Sequence, residues 1–247
     1  MIDTEDKLPF TDHLEELRQR LIKCFISIGI GFCISYGFKE KLFDILIQPL
    51  VSVMPEGNNK IIFTGLPEAF FTYLKVSLLA GIILSIPVIM YQFWMFIAPG
   101  LYKHERRMIL PAVFLSSFFF IAGALFGYFL VFPFGFQFFL SFSSEHIQAL
   151  PSMKEYLAFS SKLLIAFGLV FELPLFIVLL SRMGLVTVPF LQNNRKYAIL
   201  IFFIFSAIIT PPDVVTQIMM ALPLMVLYEI SIVGAKIFGR KSLREDE

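Results

Sequence analysis

The sequence predicts an all-α integral membrane protein with six transmembrane helices, both termini inside, short fifth and sixth spans and an ordered first outer loop. Three observations carry that prediction. Hydrophobic residues make up 57% of the 247-residue chain and charged residues 16%, against about 45–50% and about 25% in an ordinary soluble domain. The apolar residues gather into long runs separated by stretches rich in charge, Pro and Gly. The basic residues sit unevenly: 14 of the 20 Lys and Arg, including every Arg, fall in alternate connections. By the positive-inside rule those connections face the cytoplasm. The whole of 1–247 reads as a single membrane domain.

The spans are expected at about 21–38, 69–97, 108–134, 156–181, 197–209 and 214–238. A bilayer core of about 30 Å needs about 20 helical residues. The first run meets that narrowly, with Lys23 placed to snorkel. Ahead of it Leu14, Leu17 and Leu21 recur at helical spacing within a charged segment, the pattern of an amphipathic helix. Between 39 and 68 lies a mixed loop with Pro49, Pro55, Gly57, Gly65 and Pro67, breaker signals throughout. Its 42–53 portion is amphipathic and reads as an ordered cap outside the hydrocarbon. The second span contains Pro87, which membrane helices tolerate as a bend. Tyr91 and Trp94 near its end suit an aromatic belt. The third carries Gly123 and Gly127, a small-xxx-small spacing that fits either close helix approach or chance. The fourth has Glu172 and Pro174 in its interior. The fifth is too short for a standard bilayer without thinning. The sixth is interrupted by Gln217, Pro223 and Glu229.

Chemistry-bearing sets are missing. There is no HExxH, no phosphate loop ending Gly-Lys-Ser/Thr and no G-x-S-x-G. His13, His104 and His146 fall in loops or at span ends, which excludes a histidine metal cluster. No catalytic residue, metal or cofactor is expected. A net charge of +1 gives no field for nucleic acid. Cys24 and Cys33, about 13 Å apart along one helix axis, cannot bridge and read as small buried hydrophobes. The first twenty residues lack the apolar core of a signal peptide, so the chain is expected to start near Met1.

What remains is carboxylates in unusual places. Glu172 lies at membrane depth, where an ionisable group is expensive unless paired or wet. Gln217 or a backbone amide freed near Pro174 are its candidate partners. Glu229 stands nearer a charged end and reads as interfacial. The bead Leu101-Tyr-Lys-His-Glu-Arg-Arg107, between two apolar runs, places Glu105 in water at the inner face.

Several motifs in order then identify a resemblance. They are His13-Leu-Glu-Glu-Leu-Arg-x-Arg-Leu21, Tyr91-Gln-x-Trp-x-Phe-x-Ala-Pro-Gly-Leu-Tyr-Lys-His-Glu-Arg-Arg107, Phe167-Gly-x-x-Phe-Glu-x-Pro174, Thr210-Pro-Pro-Asp-x-x-x-Gln217 and Leu227-Tyr-Glu229. Together they resemble the TatC family, the multispanning subunit of the twin-arginine protein translocase, over nearly the whole chain. The resemblance implies a receptor and not a catalyst. It implies recognition of twin-arginine signal peptides of folded cargo at the cytoplasmic face of a bacterial plasma membrane. It also implies assembly with single-span partners of the TatA and TatB type and with further copies of itself, and transport driven by the proton-motive force. Carried over residue by residue, it assigns signal binding to Glu16 and Glu105, with Arg18, Phe96 and Pro99 beside them. It assigns partner contact and assembly to Glu172, Pro49, Asp213 and Gln217. Glu15 stands next to Glu16 as a second acid.

Elementary electrostatics agrees with the signal-binding pair. A guanidinium presents a planar fork that matches a carboxylate, and two adjacent arginines ask for at least two acids. Exposed pairs are worth only about 0–1 kcal/mol each. Further affinity has to come from apolar contact along the spans, so recognition should be salt-sensitive and insertion not. The competing reading is a secondary transporter or channel using Glu172 as an ion or proton site. No internal repeat relates the two halves of the chain, as many transporters show.

Overall fold

The computed structural model describes residues 10–55, 61–63, 65–97, 109–144, 149–210 and 213–239. It is helical almost throughout. In chain order the helices are α1 (Phe10–Tyr36), α2 (Lys39–Val51), α3 (Glu68–Ile97), α4 (Ile109–Phe126), a π-helical turn (Gly127–Val131), α5 (Phe132–Leu140), α6 (Met153–Phe171), α7 (Leu173–Arg182), α8 (Val188–Asn193), α9 (Arg195–Ile209) and α10 (Val214–Phe238). The extended backbone amounts to one parallel bridge between Ile62 and Ser152 among the described residues.

Four helical stretches are long and apolar enough to cross a membrane: Glu68–Ile97, Ile109–Leu140, Met153–Arg182 and Val214–Phe238. At 1.5 Å per residue they measure about 38–48 Å. The charged segment from His13 to Arg20 and the first apolar run form one continuous helix, α1, of 27 residues. Its apolar side chains, Phe25, Ile26, Ile30 and Ile34 among them, are exposed. Such a face needs a nonpolar solvent, which lipid supplies. α9 has 15 residues, still short at about 22 Å.

The boundaries differ from the expected ones in four places. The third span runs on to Leu140, because Pro133 enters at the start of α5, where its missing N–H is no loss. The first mixed loop contains α2, with Pro49 inside it. The connection after Arg182 contains α8, capped by Thr187, whose hydroxyl accepts from Phe190 N–H. The sixth span is not short. α10 has 25 residues, and each expected interruption is accommodated. Gln217 gives its amide to a neighbouring carbonyl, Pro223 sits inside an unbroken helix and Glu229 is ion-paired.

The chain divides into two compact units, 1–38 with 77–117 and 39–76 with 118–247. In the first, α1 and α3 touch backbone to backbone. A Cβ on Gly31 would stand 2.6 Å from the Gly81 oxygen, and one on Gly81 would stand 2.6 Å from Phe32 N. Without a hydrophobic force between helices in lipid, this closeness is how they gain dispersion energy. Trp94 is buried and its indole N–H donates to Ser116 Oγ at 2.8 Å. It clasps α3 to α4 and is no interfacial belt residue, although Tyr91 is exposed. Cys33 is exposed and Cys24 half-buried, both as free thiols. The expectation that they are buried fails because their helix faces lie outward.

In the second unit the core is aromatic. Phe132 and Phe167 are fully buried, Phe167 beside Phe126, which also meets Phe171, and Phe132 in a chain with Tyr128, Phe136 and Tyr156, at centroid spacings of 5.3–6.1 Å. Gly123 decides how near α4 comes to α6. A Cβ there would overlap the Phe167 carbonyl and lie 2.8 Å from Phe171 Cβ. The small-xxx-small spacing is therefore a contact and not chance. α10 packs on α7 and α9. Buried serines, Ser160, Ser181, Ser206 and Ser231, occupy the helix interfaces, where small polar residues permit close packing.

Candidate functional site

The inner-face candidates begin on the first turns of α1. Glu16 accepts from Arg20 at i+4 through both Nε, at 2.9 Å, and Nη2. Arg20 Nη1 also reaches Gln92 Oε1 on α3 at 3.4 Å. His13 Nδ1 is 3.9 Å from the other Glu16 oxygen, and the His13 ring stacks on Phe96 with centroids 4.4 Å apart at 19°. One helical face thus carries an acid whose Oε1 is held by an internal arginine and whose Oε2 points toward an imidazole on an aromatic shelf. The Glu16 side chain retains 24% exposure, enough to accept a further donor. Glu15, one position round the helix, is exposed and lacks this framing. Arg18 is exposed on the same helix. Glu105, Pro99 and the rest of the 98–108 stretch lie outside the described residues.

The assembly candidates separate into three places within the second unit. Pro49 is buried in α2. Having no N–H, it cannot donate to the Ile45 carbonyl four residues earlier. Tyr128, in the π-helical turn, fills that vacancy: its hydroxyl donates to Ile45 O at 2.5 Å. Tyr156 of α6 donates to the adjoining Leu46 carbonyl. Two tyrosines from two helical segments therefore pin the proline-bearing turn of the cap helix.

Glu172 is 2% exposed and stands at the break between α6 and α7. Pro174 follows at the head of α7. The break keeps the Glu172 N–H bonded to Leu169 O at 3.1 Å and its carbonyl bonded to Phe176 N at 3.0 Å. The backbone of Glu172 therefore stays hydrogen-bonded on both sides of the break, and Pro174, having no N–H, sits in the first turn of α7. Gln217, suggested by sequence as a partner for Glu172, instead donates its amide to Phe203 O of α9 at 3.0 Å. Asp213 is the N-cap of α10, accepting from Thr216 N at 2.7 Å and from the Thr216 hydroxyl. Glu229 pairs with Arg195 at 2.8 Å, both about half exposed, in keeping with its interfacial reading.

Sequence reasoning missed Glu68. Its carboxylate is buried at the head of α3. Oε1 accepts from Ser152 Oγ at 2.8 Å and Lys154 N at 2.9 Å, and Oε2 from Gly65 N at 3.2 Å. Beside it Ile62 N donates to Pro151 O at 3.1 Å and Met153 N to Ile62 O at 2.9 Å. One acid thus ties the connection ahead of α3 to the connection ahead of α6. The available signal was its place ahead of an apolar run, where an acid favours the helix N-terminus. Nothing in the sequence aligns it with residue 152. Among the described residues no group of His, Cys, Asp and Glu could hold a metal.

Comparison with known proteins gives the family of the chain. Residues 12–223 match the family model for the Sec-independent protein translocase protein (TatC). A Sec-independent protein translocase protein TatC from Desulforapulum autotrophicum is 67% identical over 243 residues, covering 98% of this chain and 90% of that protein. The one from Aquifex aeolicus is 43% identical over 236 residues (95% and 97%) and the one from Escherichia coli K12 39% over 246 (100% and 95%). A crystal structure of a twin-arginine translocase receptor TatC superposes with a TM-score of 0.81 at 43% identity, covering 92% of this chain and all of that one. The all-helical fold, the apolar spans and these matches are those of a multi-pass membrane component of a bacterial protein translocase, not an enzyme. The chain belongs to the TatC family.

Proposed function

We propose that this chain is the receptor that reads twin-arginine signal peptides at the cytoplasmic face of the inner membrane, with both termini cytoplasmic and six spans. The observation that carries the proposal is the framed acid on α1. Glu16 is oriented by Arg20 and flanked by the His13–Phe96 stack. A guanidinium from a ligand would take the open side of that carboxylate and lie over the aromatic shelf, combining a charge-assisted bond with a cation–π contact. Glu105 supplies the second acid in this proposal, with Arg18 and Pro99 nearby. Lys carries its charge as a point and neither forks nor stacks as well, which accounts for a preference for paired arginines. Glu172, Pro49, Asp213 and Gln217 serve contact with single-span partners and with further copies of the chain, and the proton-motive force drives the passage of folded cargo.

A photoreactive residue at position 96 tests this. It should capture a signal peptide containing Arg-Arg several-fold better than its Lys-Lys variant, and capture should fall as salt rises. Equal capture of both peptides overturns the receptor reading.

A further inference from the structure

Where the two outer connections meet, α3 and α6 enclose a cavity of about 350 Å³ whose lining includes Pro67, Glu68, Phe71, Lys75, Lys154 and Leu157. Its chemistry is two-sided. Phe71, Pro67 and Leu157 give it an apolar wall. Lys75 and Lys154 line it as well, and both are exposed. Lys75 stands about two turns, or about 10 Å, into α3 from Glu68. Among the described residues neither ammonium has an ion-pair or hydrogen-bond partner. The one carboxylate in the lining is already committed: Glu68 receives Ser152 Oγ, Lys154 N and Gly65 N. It forms no ion pair with either lysine, and with two ammoniums against one carboxylate the lining keeps a net charge of +1.

We propose that this cavity is a binding site for the headgroup of an anionic phospholipid, its phosphate between Lys75 and Lys154 and the start of an acyl chain against Phe71 and Leu157. Charge complementarity chooses the anion: two exposed ammoniums at the end of an apolar span, with no ion-pair partner among the described residues, suit a phosphate at the lipid headgroup. The apolar wall chooses an amphiphile over a soluble anion, because each methylene buried against Phe71 and Leu157 adds to binding. The Glu68 clamp gives the site its rigidity: by fixing residues 65, 152 and 154 it holds the Lys154 backbone in place before any ligand arrives. The site lies wholly within the second unit and does not depend on signal recognition.

Native mass spectrometry of the intact protein released from nanodiscs tests the proposal. Discs of phosphatidylglycerol should leave the protein carrying more retained lipid than discs of phosphatidylcholine. Lys75→Gln combined with Lys154→Gln should lower that retention about thirtyfold, the effect of two surface lysines together. Lys75→Arg with Lys154→Arg should keep it, which separates lost charge from lost folding. Lys162→Gln, on α6 outside the cavity, should leave it unchanged. Equal retention of the two lipids, or no difference between the double Gln variant and the Lys162 control, overturns the site. Displacement of lipid by millimolar glycerol phosphate as effectively as by short-chain phosphatidylglycerol refutes the lipid assignment.

Discussion

Removing the Tyr128 hydroxyl should destabilise the protein, and the reason lies in a proline on another helix. Pro49 has no N–H, so the Ile45 carbonyl loses its helical donor, and Tyr128 replaces it at 2.5 Å. Tyr128→Phe keeps the ring and leaves that carbonyl without a partner. An orphaned polar group costs about 1–3 kcal/mol. Ile45 lies on the exposed side of α2, which favours the lower half, about 1–2 kcal/mol. For a chain of this size that is roughly 2–8 °C in the thermal midpoint, readable by circular dichroism in detergent micelles. The sharper test is a double-mutant cycle. Pro49→Ala restores the N–H, and on that background Tyr128→Phe should cost less than about 0.5 kcal/mol. Tyr156→Phe serves as the contrast. Its partner, the Leu46 carbonyl, faces an ordinary N–H at Leu50, so Pro49→Ala should not alter its cost. If Tyr128→Phe is as harmful in the Pro49→Ala background as it is with the proline in place, the replacement argument is refuted.

Further outcomes are expected. Gly123→Ala should unfold or severely destabilise the second unit, by about 1–3 kcal/mol or more, because its Cβ meets the backbone of Phe167. Gly29→Ala on α1, with nothing within 4 Å of the added carbon, should be neutral or stabilising by up to about 1 kcal/mol. The thermal midpoint should fall for the first variant and hold or rise for the second. Asp213→Ala should lower the midpoint by the value of a lost N-cap, about 0.5–2 kcal/mol. Asp213→Asn should recover most of it, and export measured in both variants then separates the cap from the charge.

Much of this protein is legible in its sequence because lipid is a demanding solvent. With no water to satisfy the backbone, apolar runs of sufficient length must be helical. That alone places α3, α4 with α5, α6 with α7, and α10. The motifs around Glu16, Phe167–Pro174 and Thr210–Gln217 carry the family. Charge patterning puts Glu16 beside water ahead of the first apolar run and reads Glu229 as interfacial, and the structure sets each beside an arginine. Glu172 stands out in the sequence as a buried acid and is one.

What only the tertiary structure decides is which small or polar residue meets which. Gly31 and Gly81, fifty positions apart in the chain, touch because two helices cross there, and no local period announces that. Trp94 reads as an interfacial aromatic until Ser116 stands opposite its N–H. Composition alone offers Gln217 to Glu172, whereas the fold brings the Phe203 carbonyl within its reach. Tyr128 meets the carbonyl that Pro49 leaves open only through the packing of α2 near the π-helical turn. Glu68 binds two loops separated by more than eighty residues of chain. In each case the residue's own chemistry is plain from the sequence: a donor, an acceptor, a missing side chain. The partner is not, because hydrogen bonds and close packing act over a few ångströms. Only the folded arrangement of helices determines which groups come that near.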